Sequence, residues 1–106
     1  KATFAGAIAT VAPVTNTTAS YTVGDTVTSV IANFAGTTTL TLPTASSNSG
    51  RVLFVRTIQA QTVVSASSNV VPVAGGAAGT AILAATAGKW AMLQSDGTNW
   101  QVMATG

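Results

Sequence analysis

Chemistry in this chain would have to come from very few side chains. The 106 residues contain no histidine and no cysteine, two acids (Asp25 and Asp96) and four bases (Lys1, Arg51, Arg56 and Lys89). A hydrolytic triad has no base to work with. Paired-carboxylate catalysis would need Asp25 and Asp96 in register, yet each sits beside a glycine in a turn, where aspartate caps its own backbone. Ser–Lys catalysis would need Lys1 or Lys89 desolvated beside a serine, and no pattern places one there. Zinc has no thiolate or imidazole ligands. Asp96-Gly97-Thr98-Asn99 offers oxygens to calcium but lacks the further carboxylates of a tight site. Gly88-Lys89 runs straight into Trp90, so it is no phosphate loop, and Gly75, Gly76 and Gly79 do not space as GxGxxG. Asn16-Thr17-Thr18 matches a glycosylation acceptor, a triplet that threonine-rich chains produce by chance. The residues argue against an enzyme, and no cofactor or metal is expected.

Composition points elsewhere. Only 6% of residues are charged against roughly 25% in an ordinary domain, while 47% are hydrophobic, much of that alanine and valine. Disordered chains show the opposite balance, so this one folds, and its solubility rests on hydroxyls and amides. A net charge of +2 spread along the chain is no phosphate-tracking patch, so nucleic acid is not an expected partner. The most apolar window, residues 70–91, is broken by Pro72 and several glycines and is mostly alanine, so membrane insertion is not expected. The chain opens on Lys1 rather than methionine, as a processed product or fragment would.

Short β-branched runs alternate with turn residues every eight to twelve positions, which predicts an all-β sandwich or barrel with almost no helix. Strands are expected at 20–23, 26–33, 37–42 and 51–57, the last apolar on both faces and bracketed by arginines. Shorter ones follow at 62–65, at 70–73 (an edge, because Pro72 cannot donate to a ladder) and at 80–83. In 37–42, Leu40 and Leu42 point inward and Thr39 and Thr41 outward.

The chain ends in a hairpin. With Asp96-Gly97 as a two-residue turn, Leu93 faces Trp100 and Ala91 faces Val102 on one side, and Trp90 faces Met103 and Met92 faces Gln101 on the other. Both sides are largely apolar. A hairpin on a lone monomer should be wet on one face, so one side is expected to pack inward and the other against another chain. Trp90, Met92, Trp100 and Met103 are therefore the candidate interface residues. A sugar-stacking platform is the competing use of the tryptophans.

Tyr21-Thr22-Val23, Leu40-Thr41-Leu42-Pro43, Ser46 to Arg56 with its Gly50-Arg51, and the closing Ser95-Asp96-Gly97-Thr98-Asn99-Trp100 occur in an order that resembles a module of tailed-phage fibres and head or tail decoration proteins. Lys1-Ala2-Thr3-Phe4-Ala5-Gly6 is similar to repetitive segments that precede terminal domains in such fibres. The likeness spans roughly residues 20–104, with Ala74–Gly79 departing from the usual more polar turn. It implies an all-β fold, a small antiparallel β-sandwich or jelly-roll-like subunit in an intertwined homotrimer. Residues 1–19 would be an extended arm or the end of a preceding repeat, and 20–106 the module.

The function expected is that of a non-enzymatic virion structural protein: a trimeric fibre, spike or capsid decoration domain at the virion surface. Its partners would be its own copies and other capsid or tail proteins. A receptor- or glycan-binding fibre tip that touches host surface glycan, and a bacterial filament or adhesin subunit, are the alternatives.

Overall fold

Apolar runs of two to six residues, closed by Gly, Pro or Asx turns, produce ten strands and no α-helix among residues 11–106, which are the residues that the computed structural model describes. They are β1 (Val14–Asn16), β2 (Ser20–Thr22), β3 (Ser29–Ala32), β4 (Thr38–Thr41), β5 (Val52–Thr57), β6 (Val63–Ser65), β7 (Val70–Val71), β8 (Ala81–Leu83), β9 (Trp90–Ser95) and β10 (Trp100–Thr105). One 3₁₀ turn, Ala45–Ser47, lies in the loop after Pro43.

The strands form two sheets, six in the order β1-β3-β5-β9-β10-β7 and four in the order β2-β4-β6-β8. From β1 to β8 the chain alternates between them, crossing over at every turn. As far as β6, each strand that returns to its own sheet after visiting the other arrives in the same direction. Hence β1, β3 and β5 are parallel neighbours, and so are β2, β4 and β6. Parallel pairs need a crossover connection, and here a strand of the opposite sheet provides it. Only the closing segments reverse: β9 runs antiparallel to β5 and to β10, and β8 antiparallel to β6.

The all-β, two-sheet architecture is thus as expected, but the pairing is mixed rather than purely antiparallel. Turns at the expected spacing carry the chain across the sandwich instead of back beside the strand just left. The expected boundary at residue 20 also moves. Val14–Asn16 pairs with Val30–Ala32 and belongs to the module, while residues 1–10 of the expected arm lie outside the described residues.

The hairpin keeps its faces but not its register. Asp96 to Asn99 form a four-residue loop, so Trp100 pairs with Ser95 and Val102 with Leu93, with a bulge between Val102 and Ala104. Its Asp-Gly is not the two-residue turn expected, because Asp96 Oδ1 accepts from the backbone N–H of both Thr98 and Asn99 (2.8 and 2.7 Å) and holds the wider loop. Up to Val102 the shift is two residues, which preserves side-chain parity and keeps Trp100 and Val102 inward; past the bulge it becomes three, with Ala104 opposite Met92 and Thr105 opposite Ala91.

Between the sheets, Val30, Leu53, Val55, Ala91, Leu93 and Trp100 meet Leu40, Leu42, Val63 and Leu83 in one buried cluster. Trp100 is its largest member and is 0% exposed. Its Nε1–H donates to the Pro43 carbonyl (2.9 Å), tying β10 of the larger sheet to the end of β4 in the smaller. Around it Ser95 accepts from Gly50 N–H (2.8 Å), donates through its own N–H to Arg51 O (3.0 Å), and donates its hydroxyl to Ala45 O (2.8 Å). Arg51 spans onward, its guanidinium donating to Gly24 O and Val27 O (2.6 and 2.7 Å). The Leu-Pro, Gly-Arg and Ser-to-Trp segments therefore converge in space as one structural knot.

Trp100→Ala is expected to cost ~3–5 kcal/mol, a large share of the roughly 5–15 kcal/mol that such domains possess. Trp100→Phe keeps a ring but orphans the Pro43 carbonyl, and should cost less, with about 1–3 kcal/mol of it from that lost partner. Urea unfolding of both variants measures this; a Trp100→Ala midpoint equal to wild type would deny the knot its role.

Candidate functional site

The side chains able to do chemistry are mostly occupied by the fold. Asp96 Oδ1 is taken by its own turn, and Oδ2 accepts from Gln101 Nε2 (2.8 Å). These bonds, the Asn99 N–H first, then Gln101 and then Thr98, hold its carboxyl below the ordinary aspartate value of 3.8. Asp25 lies exposed in the connection between β2 and β3, and among the described residues no three His, Cys, Asp or Glu gather into a metal site. Asn16 of the Asn16-Thr17-Thr18 triplet is buried. Its Nδ2 donates to Thr18 O (2.7 Å) and its Oδ1 accepts from Thr18 Oγ1 (2.8 Å), so the nitrogen a glycan would need is enclosed.

What the structure leaves over is a surface. Alternation in the six-stranded sheet sends Leu53, Val55, Ala91, Leu93 and Trp100 inward, and sends Ile31, Phe54, Trp90 and Met92 outward. The ladder sets these into rows: Ser29–Phe54–Met92 in one, and Ile31–Arg56–Trp90 in the next. Phe54 is 48% exposed, Trp90 42% and Met103 52%. Between β1 and β9 the rows enclose a groove of about 300 Å³, walled by Pro13, Ile31, Phe54 and Trp90, with Ser29 and Arg56 supplying its polar atoms. The methylene stem of Arg56 continues the apolar wall while its guanidinium stays in water.

Trp90 is held in place. Its backbone exchanges hydrogen bonds with Gly106 (3.0 and 3.3 Å), and Thr105 Oγ1 donates to its carbonyl (3.0 Å). A Cβ at position 106 would collide with the Nε1 edge of the indole, so the ring packs against Gly106. Glycine is needed there for room.

Of the four candidate interface residues, Trp90, Met92 and Met103 share this outer face. Trp100 does not: it is a core residue, because it follows the hairpin loop with inward parity and its N–H finds a partner inside. Ile31 and Phe54, which complete the face, were not among the candidates. The signal for Phe54 was a central strand apolar on both sides, one of which had no core to enter. Compared with protein-family models, curated proteins and solved structures, the chain matches none.

The Asp96 bonds set a pH dependence. A carboxyl whose folded pKa is depressed contributes stability that is fully present above its unfolded value and is lost as pH falls through the folded one. The urea midpoint should therefore be level above the ordinary aspartate range and decline below it. Asp96→Asn should flatten that acid limb; a limb of unchanged steepness would show that the loop does not depend on the carboxylate.

Proposed function

We propose that this chain is a non-enzymatic structural module of a bacteriophage particle, a homotrimeric fibre, spike or decoration domain. Its copies associate through the outer face of the six-stranded sheet. One observation carries the reading. The core between the sheets is complete, yet a second apolar surface of Phe54, Trp90, Met92 and Met103 stands on the far side of the larger sheet. Contiguous apolar patches of that kind mark surfaces that bind something. Like copies supply a cover of matching chemistry, and closed symmetry also shields strand edges that would template aggregation. The order of the fibre-like segments adds the phage context. Their partners in a particle would be capsid or tail proteins.

Two aromatics beside a groove also favour a second reading, a host-glycan site at a fibre tip, since sugars stack on aromatic faces. Weighing against it, Ser29 and Arg56 alone supply polar walls, and no carboxylate is there to grip hydroxyls.

Light scattering is expected to give a mass of about three chains, and Phe54→Asp with Trp90→Asp about one, with the β-sheet circular dichroism retained. A wild-type monomer at micromolar concentration would remove the assembly reading. Binding on a glycan array that Trp90→Ala abolishes in a folded protein would instead establish the second.

A further inference from the structure

The groove on the outer face is built entirely from one chain and has the size of a small-ligand site. Its volume is about 300 Å³. An apolar cavity of about 150 Å³ takes up benzene, so this one has room for two fused rings. Strand register sets two of its walls. Phe54 pairs with Met92 and Arg56 with Trp90, which makes Phe54 and Trp90 diagonal neighbours across an antiparallel pair. Such neighbours stand roughly 7–8 Å apart, with side chains about upright on the sheet. That gap is about twice the ~3.5–4.0 Å at which carbon atoms touch, so one flat ring placed between the two aromatics contacts both. Pro13 and Ile31 carry the apolar wall on toward β1.

Charge decides what that ring must carry. Arg56 stands directly across the ladder from Trp90, and among the described residues its guanidinium has no hydrogen-bond or ion-pair partner. The two acids of the chain are Asp25 and Asp96, and both lie toward the far end of β5. Asp25 follows Gly24, whose carbonyl Arg51 binds, and Asp96 follows Ser95, whose N–H donates to the Arg51 carbonyl. Five residues separate Arg51 from Arg56, roughly 16 Å along an extended strand and about twice the screening length at physiological salt. A cationic ligand would therefore meet an unopposed positive charge. A neutral sugar would find the Ser29 hydroxyl and Arg56 as its polar walls and little to hold its other hydroxyls. A carboxylate fits, because the planar guanidinium offers parallel N–H donors to its two oxygens.

We propose that the groove binds a flat aromatic monocarboxylate of about two rings, with the rings between Phe54 and Trp90 and the carboxylate on Arg56. One unpartnered cation matches one negative charge; a second would be left against apolar walls, where an unpaired charge is costly. The site goes beyond the assembly reading and does not depend on it, since every residue belongs to a single chain. Copies meeting on this face would use the same Phe54 and Trp90, so ligand and copy exclude each other.

The probes are 2-naphthoate and its uncharged amide, 2-naphthamide, which share a ring system and differ in charge. Ligand-observed NMR titration is expected to give saturable binding of naphthoate with a Kd of about 1 mM or tighter, in keeping with a ligand of roughly a dozen non-hydrogen atoms. The amide should bind about tenfold more weakly. Arg56→Gln should bring naphthoate down to the affinity of the amide. Trp90→Ala, and separately Ser29→Phe to fill the groove, should abolish naphthoate binding with the β-sheet circular dichroism retained. Where the wild type is a trimer, saturating naphthoate should lower its mass toward one chain. Equal affinities for acid and amide, or a preference that survives Arg56→Gln, would overturn the carboxylate assignment. Binding that survives Ser29→Phe, or no saturable binding, would overturn the site. A trimer that binds no naphthoate and keeps its mass would do so while leaving the assembly reading standing.

Discussion

The hydrogen bond from the Trp100 indole to the Pro43 carbonyl organises this molecule. The two sheets share no ladder, so they are joined by turns, by the Val70–Gly79 bridge beside β8 and by what packs between them. Trp100 fills more of that interior than any other side chain, and its one polar atom must be satisfied there. The partner is a carbonyl just past β4, in the opposite sheet. Pro43 ends β4, and its ring fixes the local backbone, which leaves the carbonyl at the right place to accept. From that point Ser95, Gly50 and Arg51 extend the bonding to the neighbouring loops. A set of segments that looks like a signature in one dimension is a single junction in three.

The same logic explains how a chain with 6% charged residues stays folded and orderly. Crossing between sheets at each turn before the closing hairpin exposes backbone groups at the corners, and short hydroxyl and amide side chains satisfy them. Thr57 Oγ1 donates to Gln59 O (2.9 Å), Ser65 Oγ to Asn69 Oδ1 (2.6 Å), and Asn16 and Thr18 bond each other at the first corner. Such local bonds compete with regular structure inside an element but favour it at the ends. No buried side-chain nitrogen or oxygen among the described residues lacks a partner. Serine and threonine here do the corner work that charge networks do elsewhere.

Much of this was legible in the sequence. The positions of β4, β5, β6, β7 and β8 followed from alternation and from where Pro43 and Pro72 fall, because those signals are local. Strand direction was not, because Gly24-Asp25 or the 44–50 loop marks that the chain turns without saying which sheet it turns into. The hairpin register was missed for a related reason. Asp-Gly permits a two-residue turn, but the Asp96 carboxylate reaching Thr98 and Asn99 stabilises a longer one. Parity was robust to that error up to Val102, so the outward setting of Trp90 and Met92 was readable, whereas the bulge at Met103 was not. What failed was treating both tryptophans alike. Composition says that each needs burial; only the pairing reveals that one is already buried.

That difference between Trp90 and Trp100 is where fold and function separate. Both lie in the closing hairpin, ten positions apart in the chain and on opposite faces of one sheet. Trp100 donates a hydrogen bond into the core, and the Trp90 indole occupies the space that a Cβ at Gly106 would need. Beside Phe54, Trp90 forms part of the apolar wall of the groove on the outer face. The same hairpin thus closes the core with Trp100 and builds part of the outer face with Trp90.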